Sequence, residues 1–381
     1  MMNTGASSAQ HEAQRLNQQQ RAAYTLARTR AAWYLRPTMG KLLMQGADAV
    51  DLLHRMTTNN MLPLHTEGNG CGVQTVFVND KARMLEVVTA LRRKVEGEHG
   101  KKLDDVLLLC SGDSAQQMAQ WLDKYTFTED VRTDDVSLLY TALMVFGPQS
   151  AQFLADWMGE AVSVFTELRP HHWKYLHTKY ADIMLVKMPP LCELCYVLLV
   201  PAEVESQMRE ELQRYEDDVP QIDDETFETL RIESGLGKHG VEWTDKHNPL
   251  EAGLVGAVSF TKGCYIGQEV IARLDTYNKV KVRLMGFVAE NPIPVGAQFV
   301  DSESSTGSVI GSITSSTFSP ELGKFIALGY IRTAYANPGM SINAYKPLLS
   351  SIHPLSERED ISGIKIDSFV PVVLTKLPFV I

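Results

Sequence analysis

The stretch Val258-Ser259-Phe260-Thr261-Lys262-Gly263-Cys264-Tyr265-Ile266-Gly267-Gln268-Glu269-Val270-Ile271-Ala272-Arg273 carries the most specific chemistry of the chain. Its pattern predicts a short strand over 258–260, a turn through Gly263 and Gly267, and then a helix. The glycines let the backbone turn sharply or pass close to a ligand. Cys264 is expected at or near the helix N-terminus. There the positive end of the helix dipole and the neighbouring Lys262 both favour a thiolate. A thiolate attacks electrophiles, binds metal or is oxidised. Glu269 falls in the first helical turn, where a carboxylate is favoured. The same residues also allow a plainer reading, a tight turn around a buried, inert cysteine, because free cysteine is among the most buried residue types.

Around this stretch lies an acidic chain of 381 residues, long enough for two or three domains. Apolar residues make up 44%, enough for a sizeable core. The 36 Lys and Arg against 46 Asp and Glu leave a net charge of −10. An acidic surface repels phosphate backbones, so no nucleic-acid partner is expected. No apolar run reaches the ~20 residues of a membrane span, and no membrane partner is expected. Residues 1–30 lack the apolar stretch of a secretory signal, and the five cysteines are an odd, scattered set. Both point to reduced thiols in the cytoplasm. Segment 10–32 is rich in Gln, Ala and Arg, with Glu12 its only acid. It reads as an N-terminal helical extension over 1–30, or as an organellar transit peptide.

The rest of the chain reads as alternating strands and helices without an internal repeat. Residues 39–62 predict a strand, a turn and a helix: Asp48 is placed to cap that helix, and Val50, Leu53 and His54 share a face with Thr57. Residues 71–91 alternate as a hairpin around Asn79-Asp80-Lys81. Strands are expected over 104–110, 138–146, 183–186 and 196–200, with helices over 114–125, 149–158, 203–215 and 226–234. The six acids and one proline of 216–225 read as a solvated linker or helix start. Beyond the boundary at 277–279, short β-rich runs separated by Gly, Pro and Ser argue for a small antiparallel barrel or sandwich over 280–381.

Other candidates are weaker. Cys192-Glu193-Leu194-Cys195 precedes a strand, whereas the redox reading of C-x-x-C needs a helix N-terminus, so a structural role is expected. A four-cysteine zinc site is not available, because Cys71 and Cys110 have no C-x-x-C spacing. His171, His172 and His177 match no metal motif and read as surface or interface residues; no metal site is expected.

The segment Lys262 to Glu269 resembles the K-G-C-Y-x-G-Q-E signature of the YgfZ-type family of folate-binding proteins, within the glycine-cleavage T-protein (aminomethyltransferase) superfamily. Leu230-Arg231-Ile232-Glu233-Ser234-Gly235 is similar to that family's L-R-I-E-x-G, and Pro249-Leu250-Glu251-Ala252-Gly253-Leu254 to its P-x-E-A-G-L. Gly46-Ala47-Asp48-Ala49 and Thr57-Thr58-Asn59 resemble the G-x-D-A and T-T-N elements. Gly311-Ser312-Ile313-Thr314-Ser315 and Ala327-Leu328-Gly329-Tyr330 resemble barrel strands. The resemblance covers about residues 33–345.

It implies an α+β fold, a T-protein-like ring of three subdomains around a folate-sized cavity with a C-terminal antiparallel β-barrel. The first two subdomains would occupy 31–60 plus 136–277, and 61–135. It implies tetrahydrofolate as cofactor, and iron–sulfur client or assembly proteins as partners. Cys264 would supply the reactive thiol, tuned by Lys262. Asn59, Glu86, Arg231, Glu242 and Tyr265 would contact the folate. Arg231 also reads as an ion-pair partner of a nearby acid, and Glu242 as a solvent-facing residue. One departure matters. Aminomethyltransferases carry paired Asp after their K-G-x-x-x element, whereas Lys81-Ala82-Arg83-Met84-Leu85-Glu86-Val87 offers Glu86 and Val87. A carboxylate displaced by about 1 Å costs about 10²-fold in a positioned reaction. The alternatives to a folate-dependent iron–sulfur protein are aminomethyl transfer itself and a folate-binding scaffold without chemistry.

Overall fold

The computed structural model describes residues 16–36, 38–67, 70–96, 102–300, 308–345 and 369–380. Segment 18–29 is rich in strong helix formers and folds as the helix Gln18–Thr29, closed at its start by a capping box between Asn17 and Gln20. Residues 1–15 of the expected extension lie outside the described residues. The helix buries Tyr24 and Ala27 and belongs to the folded body.

Two antiparallel five-stranded sheets follow. The first runs in the order Ala32–Leu35, Tyr140–Phe146, Cys195–Pro201, Asp182–Lys187, Trp173–His177. The second runs Gly72–Val78, Met84–Glu96, Lys102–Ser111, Met39–Gln45, Arg132–Asp135. Strand Met39–Gln45, expected with the first subdomain, thus lies inside the second sheet, antiparallel to both of its neighbours. Side chains alternate across a strand, and the faces separate cleanly. Ala142, Met144 and Phe146 share a core cluster with Leu91, Leu107 and Leu109 of the second sheet. Leu143 and Val145 pack instead with Leu154 and Leu212 of the outer helices Ser150–Met158 and Glu205–Gln213. Leu42, Leu108 and Cys110 face the helices Ala49–Met56 and Ala115–Lys124 on the opposite side.

Asp48 stands at the N-cap of Ala49–Met56 but makes no side-chain cap bond. Its carboxylate instead accepts the Asp130 backbone N–H at 2.8 Å. The acidic stretch 216–225 is only partly solvated: Val219 and Ile222 are buried, and Ile222 N–H donates to the Trp33 carbonyl at 2.9 Å. Its end starts the helix Asp224–Glu233, capped by Asp223. The last helix of the α+β part ends at Thr276. From Val282 a closed six-stranded barrel forms in the order Val282–Ala289, Lys324–Arg332, Val309–Ser319, Gln298–Val300, Ser341–Tyr345, Phe369–Thr375.

One residue ties these parts together. The Glu233 side chain is fully buried. It accepts from Tyr24 Oη at 2.8 Å, is paired with Arg28, and accepts from Ser319 of the barrel. Its backbone carbonyl takes the N–H of Phe379, near the C-terminus, at 2.9 Å. Removing one partner of a buried pair strands the other charge and costs about 3–5 kcal/mol. Arg28→Ala is therefore expected to lower unfolding free energy by about 3 kcal/mol in denaturant titration. Arg30→Ala, which breaks an exposed pair with Asp218, is expected to leave the midpoint within experimental scatter.

Candidate functional site

The loop bearing Cys264 is held by the lysine two residues before it. Lys262 Nζ donates to the carbonyls of Thr57 at 2.7 Å, Asn59 at 2.8 Å, and His54. His54 lies in the last turn of helix Ala49–Met56, and Thr57 is its C-cap. The last carbonyls of a helix have no intrahelical partner and sit at the negative end of its dipole. Lys262 satisfies them and lies 5.0 Å over the Tyr265 ring. Burial pulls its pKa down to about 7, and the three carbonyls oppose this by stabilising the ammonium.

Thr58 Oγ1 donates to the Ala257 carbonyl, and Thr58 O accepts the Ser259 N–H. Asn59 donates through Nδ2 to the carbonyls of Gln74 at 2.8 Å and Gly256 at 3.3 Å. The T-T-N and K-G-C elements, some 200 residues apart in sequence, thus form one knot. Gly267 closes it in the left-handed region at φ +79°, where an added Cβ would meet Asn79 O at 2.6 Å.

Two expectations change here. Residues 258–260 form no strand; a short 3-10 turn, Val255–Ala257, precedes them. The helix is Gln268–Thr276 with Gly267 as N-cap, so Cys264 lies three positions ahead of the cap, near the helix N-terminus, and Glu269 lies in the first turn. Lys262 makes its side-chain hydrogen bonds to carbonyls, not to Cys264. The Cys264 side chain is exposed, against the reading of a buried cysteine, whereas Cys71, Cys110, Cys192 and Cys195 are buried. Burial pushes the Cys71 thiol up to about 11 and those of Cys110, Cys192 and Cys195 up to about 12.

A second cluster gathers the remaining site candidates. Glu86, on the strand Met84–Glu96, is buried. Its carboxylate accepts the Val87 N–H at 3.0 Å and the Ser114 hydroxyl. His239 Nδ1 lies 3.2 Å from Glu86 Oε2. That contact raises the His239 pKa against the opposing effect of burial. Arg231 uses all five of its N–H groups within the protein, on Glu228, Glu242, Ser315 and the Leu236 carbonyl. The ion-pair reading of Arg231 is therefore the one seen. Glu242 is fully buried, not solvent-facing. It accepts from Arg231, Lys238 N, Thr314 and Ser315.

Arg36 is the cation the sequence did not single out. Glu86, Tyr34 and Arg231 lie within its electrostatic reach, and burial pulls its pKa down. Its guanidinium makes no hydrogen bond or ion pair with the described residues. Tyr34 stacks on Phe227 at 4.2 Å and 11°. The available signal was faint, a lone arginine after three apolar residues in Trp33-Tyr34-Leu35-Arg36. No hydrogen bond or ion pair joins Cys264 or Lys262 to this cluster among the described residues. A cavity of about 380 Å³ opens elsewhere, between the 240–247 loop and the barrel, lined by Lys246, His247, Tyr330 and Arg332 among others. None of the seven residues named from sequence lines it.

Comparison with known proteins places this geometry. Residues 7–262 match the GCVT N-terminal domain, and residues 283–345 match the glycine cleavage T-protein C-terminal barrel domain. An Arabidopsis thaliana chloroplastic protein named as a transferase is 30% identical over 330 residues, spanning 85% of this chain and 68% of its own. The aminomethyltransferase of Halothermothrix orenii is 27% identical over 80% of this chain and 81% of its own. The crystal structure of the glycine cleavage system aminomethyltransferase T from Bartonella henselae shares the fold with a TM-score of 0.75 at 21% identity, covering 94% of this chain and 88% of that one. The chain belongs to the glycine cleavage T-protein family.

The Glu86–His239 pair has a readable pH signature. A histidine whose folded pKa is raised contributes stability that is fully present below its unfolded value of about 6.5. That stability is lost as pH rises through the raised folded value. The stability difference between the parent and His239→Gln is expected to be largest below pH ~6.5 and to shrink at mildly alkaline pH, measured by denaturant titration at each pH.

Proposed function

We propose that this member of the glycine cleavage T-protein family binds tetrahydrofolate and acts in iron–sulfur cluster assembly or repair through the thiol of Cys264. The observation that carries this reading is a contrast of environments. Four cysteines are buried with raised thiol pKa values, and the fifth is exposed on a loop that a half-buried lysine ties to a helix end. A thiol presented on a fixed loop meets an electrophile, a cluster or a partner without the chain unfolding.

The residues around Glu86 fit a folate. A pterin is flat and offers N–H donors, and its tail carries carboxylates. The Tyr34–Phe227 stack offers an aromatic surface, Glu86 an acceptor, and Arg36 a guanidinium without a partner among the described residues. Arg231 and Glu242, their polar groups already engaged, would hold the walls of such a site rather than the ligand. Asn59 and Tyr265 would support the Cys264 loop. Tetrahydrofolate, when bound, would supply one-carbon chemistry; the chain's own part would be to orient it.

Aminomethyl transfer is the second reading, favoured by the names of the relatives. Against it stands Glu86 at the position of the aspartate, held by Ser114, Val87 N–H and His239. Release of ammonia and methylene-tetrahydrofolate from an aminomethylated carrier would establish it. For location, relatives named chloroplastic in Arabidopsis thaliana and mitochondrial in Pisum sativum support an organelle over the cytoplasm. Any transit segment would lie ahead of Asn17, where the folded helix is capped.

Calorimetric titration with tetrahydrofolate is expected to show saturable binding in the parent, weakened about tenfold or more in Arg36→Ala; absence of binding at millimolar ligand sinks the folate reading. A thiol reagent at neutral pH is expected to modify one equivalent per native chain and none in Cys264→Ser. In a depleted strain, Cys264→Ser is expected to fail to restore iron–sulfur enzyme activity. Full rescue would remove the thiol from the mechanism.

A further inference from the structure

Away from both clusters, three ligand-type side chains meet where the two sheets adjoin. Glu67 follows the short helix Pro63–Thr66, Cys71 precedes the strand Gly72–Val78, and His172 precedes the strand Trp173–His177. One ligand atom from each lies within 4.8 Å of the other two. The ring of His172 is already oriented. Its Nδ1 lies 3.1 Å from the Pro170 carbonyl oxygen. A carbonyl only accepts, so Nδ1 carries the hydrogen and Nε2 is left as the free ring nitrogen. Nε2 is shut off from solvent and makes no hydrogen bond, yet it faces Glu67 Oε2 at 3.5 Å.

A lone pair facing a carboxylate oxygen needs a cation between them. That cation is either a proton, giving an imidazolium paired with Glu67, or a metal ion. Cys71 decides between them. A thiol adds nothing to a His–Glu pair, but a thiolate sulfur, an imidazole nitrogen and a carboxylate oxygen together are a zinc ligand set. A histidine whose other nitrogen donates to a backbone carbonyl has the outer-shell arrangement of metal-bound imidazoles. Arg169 pairs with Glu67 from the solvent side and orients its carboxylate.

We propose that Glu67, Cys71 and His172 form a binding site for a zinc-class divalent metal ion, with a fourth coordination position left to water. Binding forms the metal–sulfur, metal–nitrogen and metal–oxygen bonds and releases the Cys71 proton to solvent. The ion would clamp the two sheets at a point where Trp173 N–H already donates to Gly70 O at 3.0 Å. The site is independent of the folate reading, because it shares no residue with Cys264 or the Glu86 cluster.

The test is cobalt titration of the chelator-treated full-length protein, followed by absorption. One equivalent per chain is expected, with a thiolate-to-cobalt charge-transfer band that zinc abolishes. Cys264→Ser is expected to keep the band and Cys71→Ser to lose it. His172→Gln and Glu67→Gln are each expected to weaken zinc binding by at least about tenfold, as the loss of even an outer-shell partner does. Three results overturn the proposal: no saturable binding to the parent, a band that survives Cys71→Ser, or a band lost in Cys264→Ser. Should Cys71→Ser fail to fold, the two variants at partly exposed positions decide: unchanged zinc affinity in both sinks it.

Discussion

A carboxylate sealed from water must find its partners inside the protein, and Glu233 finds them on separate parts of the chain. Tyr24 and Arg28 reach it from the N-terminal helix, Ser319 from the barrel, and Phe379 meets its backbone carbonyl. The carboxylate cannot be desolvated unless these elements are all in place. A buried ion pair is weak evidence for net stability, because desolvation consumes much of the attraction. Its role here is to make the assembly all-or-none. The helix shares an apolar cluster with the α+β body and the barrel has its own, and apolar packing alone tolerates sliding. A charge with one set of partners does not.

Lys262 repeats that logic on a smaller scale. An ammonium under the loop would be costly without acceptors, and the C-terminal end of helix Ala49–Met56 and the residues after it supply them. Each group answers the other's unmet demand. The loop is tethered at Lys262, and two residues on, the Cys264 side chain is exposed at the surface. Thiol reactivity depends on access as well as on pKa, and in this chain access separates Cys264 from its four buried counterparts.

The sequence made the local parts of this arrangement legible. Hydrophobic alternation marked the hairpin through Asn79-Asp80-Lys81, and glycine-rich β runs marked the barrel, because both signals are periodic and short-range. Sheet membership was less visible. Strand Met39–Gln45 reads the same in either sheet, and only its pairing with Lys102–Ser111 and Arg132–Asp135 assigns it. Lys262 beside Cys264 suggested an electrostatic partner. Its actual partners, near His54 and Thr57, are some 200 residues away, and no local pattern announces a contact of that range. The same holds for Arg36, which gains meaning only when Glu86 and Tyr34 are folded around it.

The separation of the two clusters constrains any mechanism. The Glu86–His239 pair and the exposed Cys264 share no hydrogen bond or ion pair among the described residues, so a proton or charge cannot pass between them through such direct contacts. A folate oriented at Glu86 would thus be a ligand whose occupancy is sensed through the fold, or one that itself spans the gap. Each cluster is tied to its surroundings: Arg231 and Glu242 join the helix Asp224–Glu233 to the barrel strand Val309–Ser319 through engaged groups. The Asn59 knot joins the other end to the strand Gly72–Val78. A stiff frame transmits occupancy poorly unless it has two discrete packings. A single ligand or partner that met both clusters would need no such switch.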